Sequence, residues 1–336
     1  MRILVTGGAG YVGSVSVEAF VGAGHEVTVL DDLSTGYASA VSPAARLEIG
    51  NYGDTSSVAE LLVRYRIDAV LHCAAKSIVG ESMTDPAKYF RENVAGGVAL
   101  LEAMRMTGVS RIVFSSTAAT YGMPERTPIV ETDPIRPINA YGETKRCVEG
   151  AIRWYGHGYG LRGVILRYFN VAGASPTYGE GHDPETHLIP CVLQAAAEGR
   201  EVTLYGDDYP TPDGTCVRDY IHVEDLARAH LLALEATDPA NILTGPASGP
   251  CEPLICNLGS GTGFSNRQVV STAEVVVGRP ITLKMGPRRP GDPPILVASP
   301  QNAHEKLHWN ASMGTLEQII GSAWMWQRAH PTGYPK

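Results

Sequence analysis

Val5-Thr6-Gly7-Gly8-Ala9-Gly10-Tyr11-Val12-Gly13-Ser14 is the stretch that decides the fold. Read as G-x-x-G-x-x-G it uses Gly7, Gly10 and Gly13, and Gly8, Gly10 and Gly13 also satisfy G-x-G-x-x-G. Glycine lets the backbone turn tightly and approach a pyrophosphate. The helix that opens beyond it presents free N–H groups and partial positive charge. With 37 Gly in the chain such a turn is weak on its own, so its surroundings carry the argument. The strand-like run Arg2–Thr6 precedes it, a helical stretch near 10–23 follows, and Asp31 stands 18 residues after Gly13 at the end of a second strand. That is a dinucleotide-binding unit.

Asp31 and Asp32 also bear on which dinucleotide binds. A carboxylate at that strand end accepts hydrogen bonds from a free ribose diol and repels a 2′-phosphate. Leu33-Ser34-Thr35-Gly36 brings no Arg or Lys to offset it, so NAD is expected as cofactor rather than NADP.

Outward from this turn, strand and helix signals alternate. Strands are predicted at Arg2–Thr6, Glu26–Leu30, Arg46–Ile49, Ala69–Cys73, Arg111–Ser115 and Gly163–Tyr168, all rich in Val, Ile and Leu with little polar alternation. That texture suits strands covered on both faces. Helices are predicted near 10–23, 55–66, 86–107 and 140–158, the third opened by Asp85-Pro86 as N-cap and first-turn proline. The fold class is therefore α/β: a Rossmann-type, doubly wound parallel sheet over 1–171, with return excursions near 216–236. After residue 171 the chain becomes rich in Gly, Pro, Asp and Tyr, for example at 205–214, and ends in a helix near 315–329. A smaller mixed α/β domain over 172–336, built for substrate binding, is expected there.

Composition excludes several classes. A length of 336 residues with 44% hydrophobic and 18% charged residues describes a globular chain with a large core. A net charge of −8 argues against a general nucleic-acid surface. No apolar run approaches the roughly 20 residues that span a bilayer, and Met1-Arg2 runs into Ile3-Leu4-Val5 without a separate leader, so no membrane partner is expected. The six Cys form no C-x-x-C pair and read as buried thiols of a cytoplasmic protein, with a Cys251–Cys256 bridge left open.

Tyr141-Gly142-Glu143-Thr144-Lys145 places a phenol and an ammonium four residues apart on one predicted helix face. A free phenol is a poor base at neutral pH. A neighbouring Lys and a positively charged nicotinamide both favour phenolate, which predicts a general acid/base. Upstream, Phe114-Ser115-Ser116-Thr117 closes the fifth strand, where ligands of such sheets sit. Ser/Thr, Tyr and Lys in this order resemble the catalytic triad of the short-chain dehydrogenase/reductase superfamily, here Thr117, Tyr141 and Lys145. The sequence does not separate the roles of Ser115 and Ser116.

Further stretches narrow the resemblance. VTGGAGYVGS at 5–14, VGES at 79–82, FSSTAATYG at 114–122, RYFNVAGA at 167–174, YGDDYPTPDGTCVRDYIHVEDLA at 205–227 and PRRPGD at 287–292 are similar to the UDP-glucose (UDP-galactose) 4-epimerases, nearly end to end. The resemblance implies a homodimer, tightly held NAD and a UDP-sugar substrate. Carried over by position, Gly7, Gly10, Tyr11, Val12, Gly13, Asp31, Asp32, Asn51, Tyr52, Asn93, Ser115, Tyr141, Lys145 and Tyr168 belong to the cofactor site. Thr117, Asn170, His187, Leu188, Tyr205, Arg218, Tyr220, Arg289, Asp292 and Leu296 belong to the substrate site. Two Arg forks suit a pyrophosphate, and a carboxylate accepts from a ribose hydroxyl.

Several positions depart from the common bacterial pattern. Asn51 stands where an Asp contacts adenine, and its amide oxygen still accepts a hydrogen bond. Ser77 takes a place often held by Lys, with Lys76 one residue earlier; neither is assigned a role. His187 replaces an Asn near the substrate phosphates, donates in its stead and introduces a pH-sensitive group. Leu296 replaces a Tyr gate, which leaves room beside the sugar's 2-substituent and brings N-acetylhexosamines into range.

Three rival readings are weaker. A 4,6-dehydratase needs an acid and base after the Thr, where Ala118-Ala119 stand; a pentose epimerase or dehydrogenase shares the first oxidation. His304-Glu305-Lys306-Leu307-His308 matches the zinc signature H-E-x-x-H but lies late in the chain, and no metal is expected. A non-catalytic NAD scaffold conflicts with an intact triad.

Overall fold

The structure is a computed structural model that describes residues 1–246, 249–289 and 292–335. Six strands of its first half are β1 (Arg2–Thr6), β2 (Glu26–Asp31), β3 (Arg46–Ile49), β4 (Ala69–His72), β5 (Arg111–Thr117) and β6 (Arg162–Tyr168). Between and after them run helices α1 (Tyr11–Gly22), α2 (Thr55–Arg64), α3 (Val79–Thr84), α4 (Pro86–Tyr89), α5 (Gly96–Thr107) and α6 (Ala140–Tyr159). A strand β7 (Asn170–Ala172), helix α7 (Leu188–Glu198), strands β8 (Val202–Tyr205) and β9 (Val217–His222) and helix α8 (Val223–Ala236) follow. The remainder holds β10 (Leu254–Leu258), β11 (Gly263–Ser265), α9 (Asn266–Val277), β12 (Leu283–Gly286), β13 (Ile295–Leu296), α10 (Gln301–Leu307) and α11 (Leu316–Ala329).

Seven parallel strands form the main sheet in the order β10-β6-β5-β4-β1-β2-β3. The pleat sends alternate side chains to opposite faces. Ile3 and Val5 of β1 join Val17 and Phe20 of α1 and Leu226 and Ala229 of α8. Leu4 joins Leu61 and Leu62 of α2, Leu100 and Leu101 of α5 and Ile152 of α6 on the other face. Burying both faces explains the near-continuous apolar strands, each full side chain stabilising by about 2 kcal/mol. Strand β10 joins this sheet from the half of the chain read above as the substrate unit.

From β1 the chain winds outward through β2 and β3, then returns to place β4 on the other side of β1. The carboxyl ends of β1 and β4 thus flank a topological switch point, where ligands of open α/β sheets bind. A second layer pairs β7, β11 and β13 with the central β9, and β8 pairs with β12. Their core is Ile189, Val192 and Leu193 of α7, Val269 and Val270 of α9 and Ile319 and Ile320 of α11.

One expectation changes, and two questions left open by the sequence are answered. The helix predicted over 86–107 is not uniform: Asp85 accepts from Lys88 N as the N-cap, but Phe90–Ala95 winds as a π-helix between α4 and α5. Helix α3 precedes it unannounced. Helix α10 ends at Leu307, and His308 takes a left-handed conformation with φ of 54°, so His304 and His308 do not share a helix face and the zinc signature fails. Cys251 and Cys256 are both free. Among the described residues, no helix is long and apolar enough to cross a membrane.

Candidate active site

The glycine-rich turn is packed by its own backbone. Gly7 has φ of 74°, and a Cβ there would lie 2.6 Å from Ala74 N at the end of β4. A Cβ on Gly13 would lie 2.0 Å from the Gly7 carbonyl oxygen. These two glycines therefore let β1, α1 and the chain after β4 close together, whereas a Cβ on Gly10 would meet nothing nearer than 3.5 Å. Gly10 is the N-cap of α1 and offers no side-chain cap, so the first amides of the helix, from Tyr11 to Gly13, remain for an anion.

Asp31 ends β2 and folds back on this turn. Its Oδ2 accepts from Ala9 N at 3.0 Å and its Oδ1 from Leu33 N at 2.9 Å, while burial raises its pKa above the usual value. Asp32 accepts from Ser34 N, which with the nearby Lys76 holds its carboxyl below the usual range. Lys76 Nζ donates to Ser34 Oγ at 2.7 Å, so a cation that the local sequence did not reveal does reach this edge from the β4 loop. Two carboxylates against one ammonium still leave the ribose edge anionic. The donor set fits the adenosine half of NAD.

Asn93 lies in the π-helical turn and is 3% exposed. Its Oδ1 accepts from Lys76 N at 2.8 Å, and its Nδ2 donates to Lys76 O at 2.9 Å and Thr144 Oγ1 at 3.0 Å. It ties the loop after β4 to the helix bearing Tyr141, a reason for the local change of helical pitch. Three other residues that the resemblance assigned to the cofactor make hydrogen bonds within the protein. Tyr11 donates to Gly173 O at 2.6 Å, joining the two layers. Tyr52 donates to Glu92 O at 2.6 Å. Asn51 is exposed, and its Oδ1 accepts from Gly53 N at 2.7 Å within its own turn. Val12 packs partly buried against the α1 core.

Helix α6 begins at Ala140, capped by Asn139 Oδ1, which accepts from Gly142 N at 2.8 Å. This brings Tyr141 to the carboxyl end of β5, where the Thr117 hydroxyl hydrogen-bonds its phenol. Thr117 Oγ1 also accepts from Ala119 N at 3.1 Å. One turn further along α6, Lys145 Nζ donates to Ser115 O at 2.8 Å and lies 4.8 Å from the centre of the Phe114 ring. Burial lowers its pKa to about 8. Burial raises the Tyr141 phenol to about 12, with the Thr117 hydrogen bond opposing. Desolvation outweighs the other influences on the phenol, while the Lys145 ammonium is engaged by the Ser115 carbonyl.

The two serines separate. Ser115 Oγ lies 3.2 Å from both Cys73 Sγ and His230 Nε2, facing the α8 side with Tyr168, whose phenol burial pushes strongly upward. Ser116 Oγ donates to Glu149 Oε1 at 2.5 Å, and Glu149 pairs with Arg167, whose side chain is 4% exposed. Arg167 reaches Tyr121, and Tyr121 donates to Asn257 Oδ1 at 2.7 Å. This buried network backs α6, and sequence reasoning gave no signal for it beyond the residue types.

The residues that the resemblance assigned to the substrate sit in the second layer and the segments around it. Asn170 opens β7 opposite Tyr220 of β9 and hydrogen-bonds its buried phenol, held at about 12. Arg218 pairs with Asp292 Oδ1 at 2.5 Å, and the Arg289 guanidinium lies 4.3 Å above the Tyr205 ring. Pro290 and Gly291 of the PRRPGD stretch lie outside the described residues. Leu296 packs partly buried against Ala118, Phe169 and Ala298, beside the Thr117 turn. His187 caps α7 ahead of Leu188, and its Nδ1 lies 2.8 Å from Glu185 and 3.1 Å from Glu180. These carboxylates raise its pKa to about 10, so it is cationic through the neutral range and is not the pH-sensitive group expected.

A nucleotide turn, an acidic strand end and a Tyr-x-x-x-Lys helix beside a strand-end threonine define a dinucleotide-dependent enzyme of the short-chain dehydrogenase/reductase kind. Within it, the chain belongs to the NAD dependent epimerase/dehydratase family, whose model matches residues 3–243. It is 53% identical over 335 residues to UDP-glucose 4-epimerase of Streptomyces lividans, covering 99% of this chain and 98% of that one. Its identity to the Lacticaseibacillus casei UDP-glucose 4-epimerase is 48%, with 99% of each covered. The structure is similar to that of Brucella ovis UDP-glucose 4-epimerase in complex with NAD, with a TM-score of 0.91, 45% identity and coverage of 97% and 98%.

Proposed function

We propose that the protein inverts carbon 4 of UDP-hexoses, interconverting UDP-galactose and UDP-glucose with bound NAD. The observation that carries this is the meeting of Tyr141, Thr117 and Lys145 at the carboxyl ends of the strands, next to the glycine-rich turn. NAD, held by the glycine-rich turn and the Asp31–Asp32 edge, would supply a reversible hydride acceptor for carbon 4. Tyr141 removes the 4-hydroxyl proton and later restores it, the same oxygen serving as base and then acid. Thr117 holds that oxygen through its hydroxyl. Lys145, buried beside the Phe114 ring and donating to Ser115 O, would hold the nicotinamide ribose and favour phenolate by its charge.

Inversion requires the keto sugar to present its second face without leaving. Binding energy placed on the uridine diphosphate, through Leu188, Tyr205, Arg218, Arg289 and Asp292, with His187 cationic beside it, leaves the sugar free to turn. Asn170 and Tyr220 border the sugar. Ala118 and Ala119 follow Thr117 with methyl groups only, which supplies no acid or base for dehydration. Leu296 against Ala118 and Phe169 leaves the 2-substituent side without a phenol, which supports N-acetylhexosamines as further substrates.

Self-association is part of the same reading. Helices α5 and α6 leave Val98, Met106, Trp154 and Tyr159 exposed, the kind of surface that a second copy buries. Sedimentation of the purified protein is expected to give a dimer that Trp154→Glu weakens; a monomer at micromolar concentration removes this part. For the activity, NMR of the holoenzyme with UDP-galactose is expected to show UDP-glucose accumulating without added oxidant or reductant. Release of a keto sugar, or consumption of stoichiometric NAD, contradicts it.

A further inference from the structure

The loop between β7 and α7 carries Glu180, His182, Glu185 and His187, and one donor atom of each lies within 4.8 Å of all the others. Glu180 Oε1 is 2.6 Å from His182 Nδ1 and 3.1 Å from His187 Nδ1, and Glu185 Oε1 is 2.8 Å from His187 Nδ1. The two imidazoles, 5.3 Å apart between ring centres, therefore aim the same ring nitrogen at shared carboxylate oxygens. Both carboxylate side chains are only 7% exposed, whereas those of His182 and His187 are 34% and 54% exposed. Two anions held side by side away from water repel unless positive charge lies between them. The two Nδ1 atoms lie between these carboxylates.

We propose that Glu180, His182, Glu185 and His187 form a binding site for a divalent transition metal of the zinc type. Two imidazole nitrogens and two carboxylate oxygens make a four-ligand set that suits Zn2+, while calcium and magnesium favour an all-oxygen shell. The ion replaces the protons shared between the rings and carboxylates, so the ligands need only small side-chain adjustments. The exposed imidazoles mark its way in. Gly181 and His182 line one cleft with Ala9, Gly10 and Tyr11 of the nucleotide turn, and His187 caps α7 at the substrate side. An ion here fixes the loop across the mouth of that cleft, outside the Thr117–Tyr141–Lys145 centre. The site does not rest on the epimerase reading, because its test reads metal rather than turnover.

The test is a Zn2+ titration of the metal-stripped holoprotein against a competing chromophoric chelator, beside His182→Ala and the isosteric Glu180→Gln. One equivalent per chain is expected, with affinity at least about tenfold weaker in each variant. Circular dichroism and NAD content of the metal-free variants verify that they fold. Absence of saturable binding overturns the proposal. So does equal affinity in the parent and both variants, which places the zinc elsewhere, for instance on the free thiols.

Discussion

Lys145 Nζ donates to the carbonyl oxygen of Ser115 at 2.8 Å and lies over the Phe114 ring, a buried ammonium held by a backbone acceptor. Burial draws its pKa to about 8 from 10.5. Between these values the unfolded chain holds a proton that the folded chain has released, so stability rises with pH from about 8. Tyr141 acts in the opposite sense above pH 10, because the folded phenol, at about 12, keeps a proton that the unfolded one loses. The Cys73 thiol, raised by burial to about 11, opposes the gain already from about pH 9, so the contribution of Lys145 shows most clearly between about pH 8 and 9.

Removing the lysine should show the same cost directly. Lys145→Met is expected to abolish turnover while stabilising the cofactor-free protein at pH 7 by up to a few kcal/mol, at about 1.36 kcal/mol per pKa unit, read as a raised thermal midpoint. Calorimetry checks it. A lowered midpoint with the fold intact shows that the ammonium stabilises the empty site.

Tyr141→Phe tests the acid/base role without disturbing packing, since the ring stays and only the oxygen bonded to Thr117 is lost. Turnover of UDP-galactose is expected to fall about 10²–10⁴-fold. Bound NAD, measured after denaturing the protein, is expected to remain. Turnover within a few fold of the parent assigns the proton transfer to another group.

Glu149 holds both Arg167 and Ser116 behind the catalytic helix. Glu149→Ala leaves a guanidinium uncompensated in the interior and is expected to cost about 3–5 kcal/mol in denaturant unfolding. Glu149→Gln keeps the hydrogen-bond acceptor and should cost less. A loss below 1 kcal/mol for the alanine means that water or a neighbour already solvates Arg167.

Leu296→Tyr adds a phenol beside Ala118 and Phe169. UDP-galactose turnover is expected to persist, while UDP-N-acetylgalactosamine turnover falls about tenfold or more, comparable to the 1–3 kcal/mol by which pocket contacts discriminate. If the two substrates fall together, Leu296 does not face the 2-substituent.

Much of the nucleotide half was legible because burial on two faces writes itself into continuous Val, Ile and Leu runs. Strand β3 and the start of β5 fall on the predicted residues, and the turn at Gly7–Gly13 sits where its glycines require. Effects between distant segments were not legible. The π-helical turn depends on Asn93 bridging Lys76 and Thr144, and the strand Leu254–Leu258 is short and surrounded by Pro and Gly. Lys76 reaches Ser34 only through the fold. The cluster of Glu180, His182, Glu185 and His187 has no regular helical spacing and forms only where the loop folds back, whereas His304 and His308 have the spacing but lose the geometry at the helix end.

The most direct measurement follows deuterium placed on carbon 4 of UDP-galactose as the holoenzyme converts it in ordinary water. Deuterium is expected at carbon 4 of the UDP-glucose formed, undiluted, because the hydrogen removed is the one put back while only the hydroxyl proton passes through Tyr141. Protium at that carbon, with the label lost to solvent, contradicts transient oxidation by bound NAD.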